Sequence, residues 1–138
     1  MKRGERRVGP MELNEADLRA VPDAGVLHEL PSGISIVRRR KHEAIPGLLD
    51  LPREDQARKT DKVNGSKFLP GVTLRRIVEM TAEVLAENDV QPGRKGPYNK
   101  VFPEPIGISK GRPVRGLRVL LCLNGTLAHG VPVDENEL

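Results

Sequence analysis

The chain has 138 residues, with 23 Lys and Arg against 19 Asp and Glu, a formal charge of +4 and no tryptophan. That length allows one domain with a modest core, and a single cysteine, Cys122, excludes an internal disulfide framework. No apolar run approaches the ~18 residues of a membrane-spanning helix, and the opening MKRGERRVGP lacks the apolar stretch of a secretory signal. The expected setting is therefore cytoplasmic or within a virion, not secreted and without a membrane partner.

Fourteen glycines and twelve prolines mean that much of the backbone should lie outside regular elements. Such backbone must find other partners for its N–H and C=O groups. Charge is distributed unevenly. Residues 91–118 hold seven Lys and Arg and one Glu, whereas the preceding segment carries Glu79, Glu83, Glu87 and Asp89. Patterning of this kind favours an oriented contact over a diffuse field.

In chain order, residues 1–10 read as a basic flexible tail. Asn14 is an N-cap for a short helix over 14–20, and Pro22 to Gly25 supplies a turn. Residues 26–39 read as a β-hairpin with a Pro-Ser-Gly loop, which sets Leu30 opposite Ile34 and His28 opposite Ile36. In that register Val26, His28, Leu30, Ile34 and Ile36 share one face. The second strand runs into Arg38, Arg39, Arg40, Lys41 and His42, the densest positive cluster of the chain. Arginine presents a bidentate fork to phosphate, but charge also keeps an edge strand soluble, and both readings stay open. Residues 43–72 are cut into short pieces by Pro46, Pro52 and Pro70, and 53–62 read as an exposed loop or frayed helical turn.

Residues 73–89 form the main helix. Thr73 is its N-cap, and Leu74, Ile77, Val78, Thr81, Val84 and Leu85 recur at helical spacing. Residues 117–133 form a second hairpin around Asn124-Gly125, a dipeptide suited to the positive φ of a two-residue turn. Leu121 should then face Ala128, with Leu120, Cys122, Leu127 and His129 on one face. Gly130 and Pro132 suggest that the last strand lies at an edge.

The architecture expected is α+β: two β-hairpins (26–39 and 117–133) packed on one main helix (73–89), with long irregular basic segments. A single domain over 11–133 contains a basic extended arm at 91–116, and 134–138 form an acidic tail. The arm carries Arg94, Lys95, Lys100, Lys110, Arg112 and Arg115, interleaved with Tyr98 and Phe102. Together with Arg38, Arg39, Arg40 and Lys41 these are the candidate binding residues. A groove of cations with stacking aromatics suits nucleic acid, and a positive arm also suits an acidic surface on another copy of the chain.

Two functions follow. The first is a non-enzymatic structural protein that docks into a larger assembly, virion-type or ribonucleoprotein-type. Its partners would be other copies of itself or other subunits, with RNA or DNA phosphate backbone as a further contact. The alternative is a small basic RNA-binding protein or metal-free ribonuclease. There one histidine would take the 2′-hydroxyl proton and another would protonate the leaving oxygen. His28, His42 and His129 are available, with His28 and His129 the catalytic candidates. No nucleotide-cofactor motif occurs, and Cys122 and His129 lack the further ligands a metal site needs, so no cofactor and no metal is expected.

Overall fold

The fold rests on an alternation along its last two strands. In the computed structural model, which describes residues 12–61 and 65–138, Gly116–Cys122 (β7) and Leu127–Val133 (β8) form an antiparallel pair. In that pair Leu121 faces Ala128 and Leu120 faces His129. Period-two geometry sends Leu117, Val119 and Leu121 to one side of the sheet and Arg118, Leu120 and Cys122 to the other. The first side, with Ala128, packs against the main helix, Leu74–Glu87 (α3). Leu117, Val119, Val78 and Val84 are fully buried there, each burial stabilising by roughly 1.5–3 kcal/mol. A Cβ at Gly130 would lie 3.0 Å from the Thr81 hydroxyl of α3, so a glycine there lets the helix sit close to the sheet.

Helix α3 begins as its sequence predicts, with the Thr73 hydroxyl accepting from the Arg76 amide at 3.1 Å. It also has a distant cap. The Glu15 carboxylate accepts from the Leu74 and Arg75 amides at 3.0 and 2.9 Å. Glu15 opens the short helix Glu15–Arg19 (α1), whose own N-cap is Asn14. Asn88 ends α3 by donating to the Val84 carbonyl.

Strands Val26–Glu29 (β1) and Ser35–Val37 (β2) form the first hairpin, with His28 opposite Ile36 and a register irregularity after Val26. That irregularity turns Val26 out to 50 % exposure and Leu27 into the core, which corrects the face expected for Val26. Tyr98–Val101 (β4) completes a five-stranded sheet ordered β1-β2-β8-β7-β4, in which β2 and β8 run parallel. Strand β8 is therefore internal at its start and unpaired on its β2 side only beyond Ala128. The expected edge applies to its second half alone, where Pro132 packs over Gly107. The β7–β8 turn is also wider than two residues. Leu123, Asn124 and Gly125 all take positive φ, and the Thr126 amide reaches back to the Cys122 carbonyl.

Ser66–Phe68 (β3), Gly107–Ser109 (β5) and Arg112–Val114 (β6) form a second sheet, ordered β3-β5-β6. The stretch 91–116, expected as an irregular arm, therefore contributes three strands. Its β5 and β6 close on a Lys110-Gly111 turn with φ of 52° and 77°. Helix Arg53–Thr60 (α2), where a loop or frayed turn was expected, supports this turn: the Thr60 hydroxyl accepts from the Gly111 amide at 3.0 Å. The basic tail expected at 1–10 lies outside the described residues. No helix among those described is long and apolar enough to cross a membrane.

Candidate functional site

The face of the large sheet away from α3 is lined by Arg118, Leu120, His129, Val131 and Val133, and it looks into a cleft of about 800 Å3. The second sheet supplies Ser66, Ser109 and Lys110 to the opposite wall, and α2 supplies Thr60 and Asp61. Arg39, Lys41 and His42 also line it, and Asp134 and Glu137 come from the last turn.

The run Arg38 to His42 is split by the way the backbone leaves β2. Arg38 is 4 % exposed. It donates to the Arg19 and Val21 carbonyls at 2.8 and 2.6 Å and pairs with Glu43 at 2.7 Å. Glu43 also raises its pKa. Arg38 is therefore a structural cation that ties three segments together. After it the chain makes one 3-10 turn, Arg40–His42, pinned by the Asp23 carboxylate accepting from the Arg40 amide. The turn leaves Arg40 and Lys41 exposed, Arg39 at the cleft and His42 inside.

His42 meets His129 there. The rings lie 5.7 Å apart between centroids and 19° from parallel. His42 is 3 % exposed. Neither of its ring nitrogens has a hydrogen-bond partner among the described residues, nor does Nδ1 of His129 or Nε of Arg39. Buried donors and acceptors in that state cost on the order of 1–3 kcal/mol each, and such groups in a fold call for an explanation. Burial pushes both imidazoles down to about 4, and neighbouring charge acts in the same direction: His129, Lys41, Arg39 and Lys67 on His42, Arg39 and Lys41 on His129. The neighbouring charges that lower the two pKa values are cationic, and Asp61, Asp134 and Glu137 line the same cleft. At neutral pH both rings are uncharged, and each offers one proton and one lone pair.

His28, the other histidine proposed for catalysis, lies in β1 opposite Ile36, and the cleft lining does not include it. The histidine that joins His129 is His42, placed by tertiary structure from a segment whose local signal was only positive charge. Lys110 reaches the cleft from the β5–β6 turn. Arg118, outside the residues expected from sequence, is held across β4–β7 by the Asn99 side chain at 3.1 Å.

Several of the expected arm residues are engaged within the chain. Lys100 pairs with Glu87 and Glu83 of α3 at 2.8 and 3.3 Å, and the Glu87 bond raises its pKa. Arg115 pairs with Glu135 at 3.2 Å. The Arg115 amide also donates to that carboxylate and lowers its pKa. Phe102 is 3 % exposed, with Arg76 and Lys100 about 6 Å above its ring, and Tyr98 packs half-buried against the core. Both aromatics anchor the segment. Arg94, Lys95 and Arg112 are exposed and have no ion-pair partner among the described residues. Also among the described residues, no three His, Cys, Asp or Glu side chains converge to hold a metal ion.

Comparison of the chain with protein-family models, with curated proteins and with solved structures gives no match.

Proposed function

We propose that the chain is a small RNA-binding protein that cleaves RNA by general acid–base catalysis in the cleft between its two sheets. The observation that carries this reading is the His42–His129 pair: two uncharged imidazoles, short of partners, with Arg39 and Lys41 beside them. Such a site stabilises an anion that accepts their protons. A phosphodiester accepts from the ring N–H groups, the 2′-hydroxyl donates to a ring lone pair, and Arg39, Lys41, Arg118 and Lys110 outnumber Asp61, Asp134 and Glu137 around the cleft. One imidazole takes the proton of the 2′-hydroxyl as that oxygen attacks phosphorus. The P–O5′ bond breaks, and the other, protonated imidazole gives its proton to O5′. The products are a 2′,3′-cyclic phosphate and a 5′-hydroxyl, so atoms and charge balance. The bound phosphate raises the pKa of the pair, which supplies the protonated partner near neutral pH.

The test is incubation of the pure protein with an RNA oligonucleotide in EDTA, with products identified by mass spectrometry. Cleavage to cyclic phosphate ends is expected, abolished by 2′-deoxy substitution at the cut site and by His42→Asn combined with His129→Asn. Intact RNA, or cleavage that survives the double substitution, overturns the reading.

The second reading, a cytoplasmic or virion assembly protein, draws on the exposed cations Arg40, Arg94, Lys95 and Arg112. It loses part of the charge match expected between the arm and an acidic surface on another copy, because α3 and the last turn already pair with Lys100 and Arg115 of the same chain. Light scattering during size-exclusion chromatography separates the two readings: a nucleic-acid-free oligomer favours assembly, and a monomer favours the cleft.

A further inference from the structure

A second hollow, about 450 Å3, opens beside the turn of the β7–β8 hairpin. Its walls are the loop 93–97, with Arg94 and Lys95, and the end of β7 with Cys122 and Leu120. Leu120 also lines the main cleft, so the two hollows share a wall residue. Arg118, Leu120 and Cys122 alternate onto one face of β7. That face therefore runs from the cleft to the second hollow over roughly 13 Å, at about 3.3 Å per residue. A stacked strand carries a phosphate about every 3.4 Å of its axis, so this path is several nucleotides long.

The second hollow is a built feature. Gly125 takes φ of 77°, and a Cβ there would lie 2.6 Å from the Gly93 nitrogen and 3.0 Å from the Arg94 carbonyl oxygen. The hairpin turn and the loop 93–97 are in contact through a position that only glycine fits. That contact fixes Arg94 and Lys95 beside the end of β7. Neither cation has an ion-pair partner among the described residues, in contrast to Lys100 and Arg115 of the same stretch.

We infer that the loop 93–97 is a distal phosphate subsite, so that the substrate class is single-stranded RNA longer than a dinucleotide, threaded from the histidine pair across Leu120 to Arg94 and Lys95. This rests on the proposed reading of the cleft. A dinucleotide fills the main cleft alone, and a longer strand gains two further phosphate contacts.

The test uses 5′-fluorescein 2′-O-methyl oligonucleotides, which bind without being cut, of two and eight nucleotides, measured by anisotropy across a salt series. For Arg94→Ala combined with Lys95→Ala, octamer affinity falls and its logarithmic salt slope drops by about 1.4, at ~0.7 per lost single-strand phosphate contact. Dinucleotide binding is unchanged. In the unsubstituted protein the octamer slows iodoacetamide alkylation of Cys122, the exposed free thiol on the path, and the dinucleotide does not. An octamer that binds the double variant with an unchanged salt slope overturns the subsite, as does equal protection of Cys122 by both oligonucleotides. If, in addition, Lys41→Ala combined with Arg118→Ala still weakens the octamer, only the subsite has failed. An unsubstituted protein that binds neither oligonucleotide overturns the cleft reading with it.

Discussion

The two faces of the five-stranded sheet are drawn from the same strands and satisfied to opposite degrees. On the α3 face, Leu117, Val119 and Ala128 are fully buried in a continuous aliphatic core. One residue along, on the other face, Arg118, Leu120 and His129 border a cleft, and the histidine pair lacks partners. A core face reaches its lowest free energy within the chain. A face with buried, unpartnered polar atoms reaches it only with something added. The alternation of β7 and β8 therefore sets a satisfied face and an unsatisfied one side by side at the level of neighbouring residues.

The widest separation is expected from the histidines. His129→Asn or His42→Asn lowers RNA cleavage by about 10²- to 10⁴-fold while the thermal midpoint moves by only a few degrees. A loss of stability as large as that of a core variant would erase the contrast between the faces. Next is Leu117→Ala, which costs about 2–5 kcal/mol for a buried leucine, read from the urea midpoint, and leaves cleavage per folded molecule unchanged. Arg38→Met sharpens the comparison from inside the basic run. It leaves the Arg19 and Val21 carbonyls and the Glu43 carboxylate without their donor, for about 1–3 kcal/mol, yet the salt dependence of RNA binding stays the same.

A pH series follows from the direction of the two imidazole shifts. Both lie at about 4 in the fold, below the ordinary 6.5. Between these values the unfolded chain binds more protons, so stability rises with pH. It is fully present above about 6.5 and declines as pH falls from there through 4. The thermal midpoint should drop across that window, less in the His42→Asn, His129→Asn double variant and less in phosphate buffer, which favours the imidazolium forms. The smallest effect belongs to Lys100→Met, whose exposed pairs with Glu83 and Glu87 are worth under about 1 kcal/mol, measured by the same denaturation.

The legible parts of the fold were those with a local cause. Thr73 and the apolar stripe after it announce α3, and the continuous apolar run 119–123 followed by Asn124-Gly125 announces β7 and β8 down to the Leu121–Ala128 register. The second sheet was not legible, because its strands are three residues long and their pairing joins Ser66 to Ser109 across the intervening α3 and β4. One local signal was present there: Lys110-Gly111 between the short runs Gly107–Ser109 and Arg112–Val114 is a two-residue turn. The site was half legible. His129 was placed on the correct face, and Arg39, Lys41 and Lys110 were named for their charge. His42 was counted among the available histidines, but His28 was preferred to it as the partner of His129, since nothing within a few residues of His42 reports its neighbour in the fold. The cations that turned out to be engaged, Arg38, Lys100 and Arg115, look in the sequence like those left free. Their partners are set by packing.

The parallel pairing of β2 with β8 also governs when the cleft can exist. It joins Ser35 and Ile36 to Leu127 and Ala128, so the early hairpin cannot enter the sheet until the last strand is available. Contacts this distant in sequence slow folding, because loop closure is paid before the pairing rewards it. During synthesis the segment that carries His42 therefore waits, unassembled, for the one that carries His129. A nascent chain still on the ribosome, with its final strand inside the exit tunnel, holds the parts of the cleft without the cleft itself.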